Sequence, residues 1–364
     1  MKSFLSKFHR NHPGRFLWYK LFSPKLKLSK IDIAPCYFFF KQTFPFLEYK
    51  TTLFETPINE SFNGVAGSGE LEYIIRYNKG VLIEPAYGFA LDDKGAIIIR
   101  SLPYGEVSLN LLPHYIYYKK KKIRHLKRAV SIHYNWFNYW HFYNDTIGQL
   151  YLLEKENFDK SIPIIIPEKA LQLEYVSFFL GTEYAKKWNW VFQREDEFIK
   201  VEEVFFCKTT PNIAPQFIFA REIFQQKLSF NTHAARKIFL KRDPSRGRFI
   251  SNFSSIEPVL EKYGIEIVDA ENLSMEDQII LFSEAALIIG PHGAGLTNML
   301  YRSSTKCSII EIFPEGFIPV HYYWLAKELN FDYTAFLGSK LVNGGFEIEI
   351  NKLISSLENT LAGE

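Results

Sequence analysis

The sequence predicts an α/β protein of two units, the second of them a Rossmann-like parallel sheet with helices on both faces. Three observations carry that prediction. From about residue 235, short apolar runs alternate with amphipathic segments, the pattern of a parallel sheet wound through crossover helices. Before about residue 125 the apolar runs are short and punctuated by Gly, Pro, Asn and Asp, as in strands joined by turns. A length of 364 residues accommodates two domains of ordinary size.

Taken in order, residues 1–125 form a β-rich portion whose strand candidates include YIIRY, GVLIEPAYGFALD and GAIIIRSLPYG. Longer units follow over 126–225 and complete the first unit, 1–225. NYWHFYNDTIGQLYLLEK places large apolar groups at helical spacing, IPIIIP reads as a buried strand, LQLEYVSFFLG as a helix, and WVFQ and VEEVFFCK as strands. AREIFQQKL is a helix or connector leading into the second unit, 226–340. There RKIFLKR, IEIVDA, LIIG and CSIIEIFP read as strands. SSIEPVLEKYG, with Gly264 as terminator, and SMEDQIILFSEA read as helices, and GLTNMLY opens another. The final segment, 341–364, holds a strand and a helix expected to dock back on the first unit.

A hydrophobic content of 47% against 23% charged residues excludes a mainly disordered chain. The 34 Phe, 21 Tyr and 6 Trp make the core lean on rings, and the Tyr and Trp polar atoms then need partners inside it. Cys36, Cys207 and Cys307 are far apart, the histidines show neither His-x-His nor His-Glu-x-x-His spacing, and the pair Asp92 and Asp93 falls in an early turn. No metal site and a reducing compartment are expected. The basic start lacks the apolar core of a signal peptide, and no apolar run reaches about 18 residues. A cytoplasmic protein is expected, and the Asn-x-Ser/Thr matches at Asn59, Asn144, Asn252 and Asn272 are then chance.

Net charge is only +3, but residues 1–30 hold eight Lys or Arg and no acid, and YYKKKKIRHLKR follows at 117–128. With Phe16, Trp18, Tyr19 and Phe22 beside the first patch, these stretches suit either solvated surface or peripheral contact with an anionic membrane on its inner face. No nucleic-acid module accompanies the charge.

Three stretches carry candidate chemistry. In ALIIGPHGAGLTNMLY, 286–301, a glycine-rich loop follows a buried strand. A loop at the carboxyl end of a strand faces the ligand crevice of an open α/β sheet, and glycines let a phosphate approach backbone N–H groups. Gly290, His292, Gly293, Ala294 and Gly295 are the cradle candidates, against a purely structural turn. Asn298 would bind a ligand or cap a carbonyl. Glu311, a carboxylate inside an apolar strand, would meet ribose hydroxyls or face the sheet edge and water. KRDPSRGR supplies Lys241, Arg242, Arg246 and Arg248, with Arg242 the first choice for an anion because it emerges directly after a strand. NYWHFYND puts Asn138, His141 and Asp145 on one helical face, either as a base with its orienting partner or as a local polar pair.

Together and in this order, NYWHFYND, FLKRDPSRGR, ENLSMEDQIILFSEAALIIGPHGAGLTNMLY, SIIEIFP and HYYWLAKELNFDY resemble glycosyltransferase family 61, with its capsular polysaccharide biosynthesis members, over roughly residues 130–335. The resemblance implies an inverting enzyme that uses a nucleotide-sugar donor, a UDP-sugar being one such nucleotide-diphosphate sugar. The lack of metal-ligand spacing, with positive side chains and backbone donors available to a leaving diphosphate, makes an obligatory metal cofactor unnecessary. The resemblance further implies two Rossmann-like domains in a GT-B-like arrangement, to which the strand pattern adds the N-terminal β-rich portion. The acceptor would be a glycan or lipid-linked glycan of capsule, exopolysaccharide or lipopolysaccharide synthesis. Its motifs fall on Asn138, Tyr139, His141 and Asp145, on Arg242 and Gln278, on Gly290, His292, Gly293, Ala294, Gly295 and Asn298, and on Glu311, with Arg246 and Arg248 in support. Asp145 or His141 would be the catalytic base on the acceptor side. Arg242, Gln278, Gly290, His292, Gly293, Ala294, Gly295, Asn298 and Glu311 would bind donor, with Asn138, Tyr139, Arg246 and Arg248 supporting. One departure is FISNFSS, which keeps Asn252 but lacks the acid the family often places beside it. The competing expectation is a non-catalytic nucleotide-sugar binding or assembly protein.

Overall fold

The computed structural model describes residues 36–44, 49–64, 70–101 without 86 and 94, 122–133, 135–209, 213–226, 228–303 and 306–362. The basic stretch 1–30 with its four aromatic residues, and 117–121 of the second basic cluster, lie outside the described residues.

The first eight strands are β1 (Cys36–Phe44), β2 (Glu70–Tyr77), β3 (Val81–Ile83), β4 (Ala90–Leu91), β5 (Lys122–Ser131), β6 (Ile164–Pro167), β7 (Trp190–Gln193) and β8 (Glu197–Lys208). They make one sheet, in the order β1-β2-β8-β5-β6-β7, with β3 also on β8 and β4 on β3. Strands β8, β5, β6 and β7 run parallel, whereas β1, β2 and β3 join antiparallel. The β-rich portion thus extends the same sheet as the α/β part and is not a separate layer. β6 is apolar and buried throughout, as a parallel strand covered on both faces must be.

The second half contributes β9 (Arg236–Leu240), β10 (Phe249–Ile250), β11 (Glu266–Val268), β12 (Ala285–Pro291), β13 (Ser308–Glu315), β14 (Asp332–Lys340) and β15 (Gly345–Phe346). Five of these form a wholly parallel sheet, β11-β9-β12-β13-β14, and β10 pairs with β15. In order of succession the sheet reads 2-1-3-4-5, so the winding reverses between β9 and β12. A doubly wound sheet opens its ligand crevice outside the carboxyl ends of the strands at such a reversal. Here those ends lead into Lys241–Arg242 and into His292.

The helices are α1 (Thr56–Asn63), α2 (residues 139–155), α3 (Glu174–Leu180), α4 (Ala214–Gln225), α5 (Phe253–Lys262), α6 (Met275–Glu284), α7 (His321–Glu328) and α8 (Ile350–Leu361). Ser274 caps α6 by accepting from the Asp277 N–H at 3.2 Å, and Gly264, at φ +63°, lets the chain turn away after α5. The segment Ala294–Tyr301 is a 3-10 helix, not the α-helix its apolar spacing suggests. α5 and α8 cover one face of the parallel sheet through Ile256, Leu260, Leu353 and Leu357. The other face, with Leu296, Leu300 and Leu325, merges into a core that continues through Phe142 and Phe224 of the first half.

Two placements depart from the sequence expectation. The final helix was expected on the first unit, but α8 packs its leucines on the second sheet and reaches N-terminal residues through Lys352–Glu55 at 3.0 Å. Conversely, residues 49–63, assigned to the first unit, lie on the second. Phe62 stacks on Tyr323 at 4.8 Å, Phe54 meets Tyr333 at 5.7 Å, and Ser61 donates to the Ile318 carbonyl at 2.7 Å. Apolar burial decides both, through leucines in α8 and aromatic rings in residues 49–63, because apolar side chains pack where a matching surface exists whatever their position in the chain.

Candidate active site

α2 begins at an N-cap, Asn138, whose side chain accepts from the His141 N–H at 3.2 Å. It runs as α-helix over Tyr139–His141, as a π-helical turn over Phe142–Ile147, and again as α-helix over Gly148–Lys155. Single π turns inside α-helices are frequent at functional sites. This one carries Asp145, whose Oδ2 lies 2.9 Å from His141 Nδ1. Asn144 Nδ2 donates to Oδ1 at 2.8 Å, and Asn135 Nδ2 donates to Oδ2. The carboxylate is thereby held by two amides and the imidazole. With Asp145 accepting at Nδ1, the ring would take a proton through Nε2.

Behind this pair, tyrosines join the two halves. Tyr139 donates its hydroxyl hydrogen to Asn298 Oδ1, Asn298 Nδ2 donates to Gln278 Oε1 at 2.9 Å, and Gln278 Nε2 donates to the Leu273 carbonyl at 3.0 Å. The Tyr143 and Tyr301 hydroxyls meet at 2.5 Å. Burial pushes the Tyr139 phenol up to about 12 and Tyr143 and Tyr301 well above their ordinary value, so all three keep their protons. Asn298 is fully buried, and both its amide atoms are engaged. Asn298 and Gln278, both expected to bind donor, form a hydrogen-bonded chain that ties the first half to the second through Tyr139.

On the opposite side His292 follows β12, its N–H donating to the Ile312 carbonyl at 2.9 Å, so that N–H is not left for a phosphate. Its Nδ1 stands 2.5 Å from Glu311 Oε1, and Tyr333 donates to Glu311 Oε2 at 2.6 Å. Glu311 is fully buried with both oxygens occupied, so the expected contact with ribose does not fit. Glu311 instead orients His292, whose ring is packed by Phe313, Phe317 and Tyr322 at 5.2–5.5 Å.

The glycines of the loop have separate reasons. A Cβ on Gly293 would sit 2.1 Å from Arg242 Nη1, so Gly293 makes room for a guanidinium, with no demand from its extended φ of −179°. A Cβ on Gly290 would come within 3.0 Å of Leu240, whereas Gly295 meets nothing closer than 3.7 Å. Ala294 starts the 3-10 helix, and the first N–H groups of any helix lack an intrahelical acceptor.

Arg242 donates from Nε to the Gly247 carbonyl at 2.5 Å and from Nη2 to the Arg246 carbonyl at 3.2 Å, which shapes the turn after β9. Arg246 turns outward to Glu271 at 2.9 Å. Arg248, at φ +56°, holds a left-handed backbone uncommon for a side chain of its size, and its guanidinium lies 5.0 Å over the Phe317 ring. Among the described residues no carboxylate forms an ion pair with Arg242 or Arg248. Burial lowers the proton affinity of both, and Arg248 lowers that of Arg242 further, yet an arginine stays charged. Two half-buried guanidinia thus stand at the switch point with no carboxylate in ion-pairing range among the described residues.

Sequence reasoning missed four residues: Asn135 and Asn144, which hold Asp145, Tyr333, which holds Glu311, and His321. His321 begins α7 and lies 5.7 Å from Trp140, ring to ring. Burial first, then the charges of His292 and His141, push it down to about 4, while Asp145 acts the other way. One imidazole is therefore under the influence of both sides. Among the described residues no three His, Cys, Asp or Glu stand together where they could hold a metal ion, and no helix is long and apolar enough to cross a membrane. A cavity of about 360 Å³ between β11 and α6, lined in part by Val268, Asp269 and Asp277, contains none of the site residues.

Compared with known proteins, residues 139–310 match the family Glycosyltransferase 61. The chain is also 36% identical over 78 residues to a beta-1,2-xylosyltransferase of Arabidopsis thaliana. That alignment covers 21% of this chain and 14% of the plant protein. The family match takes in His141, Asp145, Arg242 and His292 and stops just before Glu311, so Glu311, His321 and Tyr333 lie beyond it.

Proposed function

We propose, from the Glycosyltransferase 61 match over residues 139–310 and the cation pair at the switch point, that this protein transfers a sugar from a nucleotide-diphosphate donor to an acceptor hydroxyl with inversion. The observation that carries the reading is Arg242 and Arg248, half-buried and without a carboxylate, beside the histidine loop of a doubly wound sheet. A diphosphate there would satisfy both guanidinia. The two halves would act as a GT-B-like pair, the second holding donor and the first presenting acceptor.

In the reaction the acceptor oxygen attacks the anomeric carbon, and the bond from that carbon to the diphosphate oxygen breaks. The leaving diphosphate keeps the electron pair, its charge offset by Arg242, Arg248 and the Glu311-oriented His292. The acceptor proton passes to His141 Nε2, and Asp145 stabilises the imidazolium that forms. This assigns the base to His141 and an orienting role to Asp145. Guanidinia and backbone donors supply the positive charge, so the reading needs no metal.

The acceptor is read as a glycan or lipid-linked glycan of surface-polysaccharide synthesis, met on the inner membrane face through the basic stretches. The likeness to a beta-1,2-xylosyltransferase puts UDP-xylose first among donors to try. The test is a panel of nucleotide sugars with the cell's own glycan extract, read as nucleoside diphosphate released and product linkage. Acceptor-dependent release from one donor, absent in His141→Ala, is the expected result. Binding without release or transfer would favour a nucleotide-sugar binding or assembly protein.

A further inference from the structure

We infer that His321 is a substrate-contacting residue of this site, its imidazole hydrogen-bonding a hydroxyl of a sugar held between the two halves. The inference rests on the glycosyltransferase reading and adds to it a residue beyond the family match. Its position follows from packing. Trp140, which precedes His141, lies against the His321 ring at 5.7 Å and against Tyr322 at 5.2 Å. Tyr322 in turn contacts His292 at 5.2 Å. The chain at 321–322 therefore wedges between the helix that carries the acceptor-side histidine and the loop that carries the donor-side one.

The chemistry follows from what surrounds the ring. Among the described residues neither nitrogen of the half-buried His321 has a hydrogen-bond partner, and neither is sealed from solvent, so both are open to a ligand. A ligand that replaces the solvent at those nitrogens can take over its hydrogen bonds. Burial and the flanking histidines keep the ring neutral near pH 7, with one nitrogen donating and the other accepting. A sugar hydroxyl both donates and accepts, so it suits such a ring. A diphosphate only accepts and is better met by the guanidinia. The hydroxyl could belong to the transferred sugar or to the acceptor, and the experiment separates the two.

His321→Phe keeps a ring against Trp140 and removes both nitrogens, while His321→Asn keeps a donor and an acceptor on a smaller side chain. The full chain and both variants are titrated calorimetrically with UDP-xylose, UDP-glucose, UDP-galactose, UDP-N-acetylglucosamine and GDP-mannose, each beside its own nucleoside diphosphate, and the KM for acceptor extract is measured. In His321→Phe, affinity for the preferred nucleotide sugar falls about tenfold with that for the bare diphosphate unchanged, if the hydroxyl is the donor's. If it is the acceptor's, donor affinity holds and acceptor KM rises about tenfold. His321→Asn recovers part of either loss. Unchanged sugar affinity together with unchanged acceptor KM overturns the inference, as does an equal loss for sugar and bare diphosphate, the sign of a merely structural role. A wild-type chain that binds none of the five pairs overturns the glycosyltransferase reading itself, and this inference with it.

Discussion

His141 and Asp145 stand 2.9 Å apart with side chains 34% and 20% exposed, while His292 and Glu311 stand 2.5 Å apart at 7% and 0%. The two pairs have the same composition but different surroundings. The first sits on a π turn, its carboxylate held by two asparagine amides. The second sits between parallel strands, its carboxylate shared with a tyrosine and closed in by aromatic rings. An imidazole that must exchange a proton with a substrate needs access and a polarising partner, and the first pair has both. An imidazole whose neighbours are fixed and dry is suited to hold charge in place, because it need not reorganise when charge develops beside it.

The largest effect belongs to His141. His141→Ala is expected to lower turnover about 10²- to 10⁴-fold, the range for loss of a general base, with nucleotide affinity retained. Asp145→Asn should follow in the same direction with folding and donor binding preserved, and unchanged turnover would remove Asp145 from the mechanism. Second, the buried pair should dominate stability. Glu311→Ala leaves His292 and Tyr333 without their shared partner in a dry interior, at a cost of about 3–5 kcal/mol, read as a lowered denaturation midpoint. Asp145→Ala, on the open side, should cost under about 1.5 kcal/mol; the reverse ranking would break the comparison.

Third, Gly293→Ala drives a methyl into Arg242, 2.1 Å from Nη1, and should weaken nucleotide binding about tenfold or more while unfolding changes little. The smallest effect is on pH dependence. His133 and His321 are both pushed down to about 4 by burial, from an ordinary 6.5. Between those values the unfolded chain binds more protons than the folded one, so stability is full above pH 6.5 and falls as the pH drops towards 4. Denaturation curves of His321→Phe across that window should show a shallower fall than wild type.

The sequence made the parallel sheet legible because β9, β12 and β13 are apolar runs covered on both faces, and the crossover helices between them carry a cap at Ser274 and a stop at Gly264. The His141–Asp145 pair was legible for a similar reason, since a spacing of four on a helix predicts contact. Contacts between distant residues were not. Tyr139 meets Asn298 across 159 positions, and neither neighbourhood reveals that Asn298 is consumed by that bond. Glu311 was singled out as a polar residue in an apolar strand, but its partners come from another loop and another strand. His321 gave the faintest signal, one polar residue at the head of the aromatic helix HYYWLAKE, and only the packing of that helix on Trp140 brings it to the crevice. Residues 49–63 and α8 were misplaced because amphipathic patterns say which face is buried and leave open against which neighbour.

The claim that the two histidine sides divide proton transfer from donor binding is tested most directly by titrating the preferred nucleoside diphosphate into His141→Ala and Arg248→Ala. Wild-type affinity is expected for His141→Ala, in spite of its lost turnover, and an affinity lowered about tenfold to a hundredfold for Arg248→Ala. Equal losses in both variants, or a loss confined to His141→Ala, would contradict it.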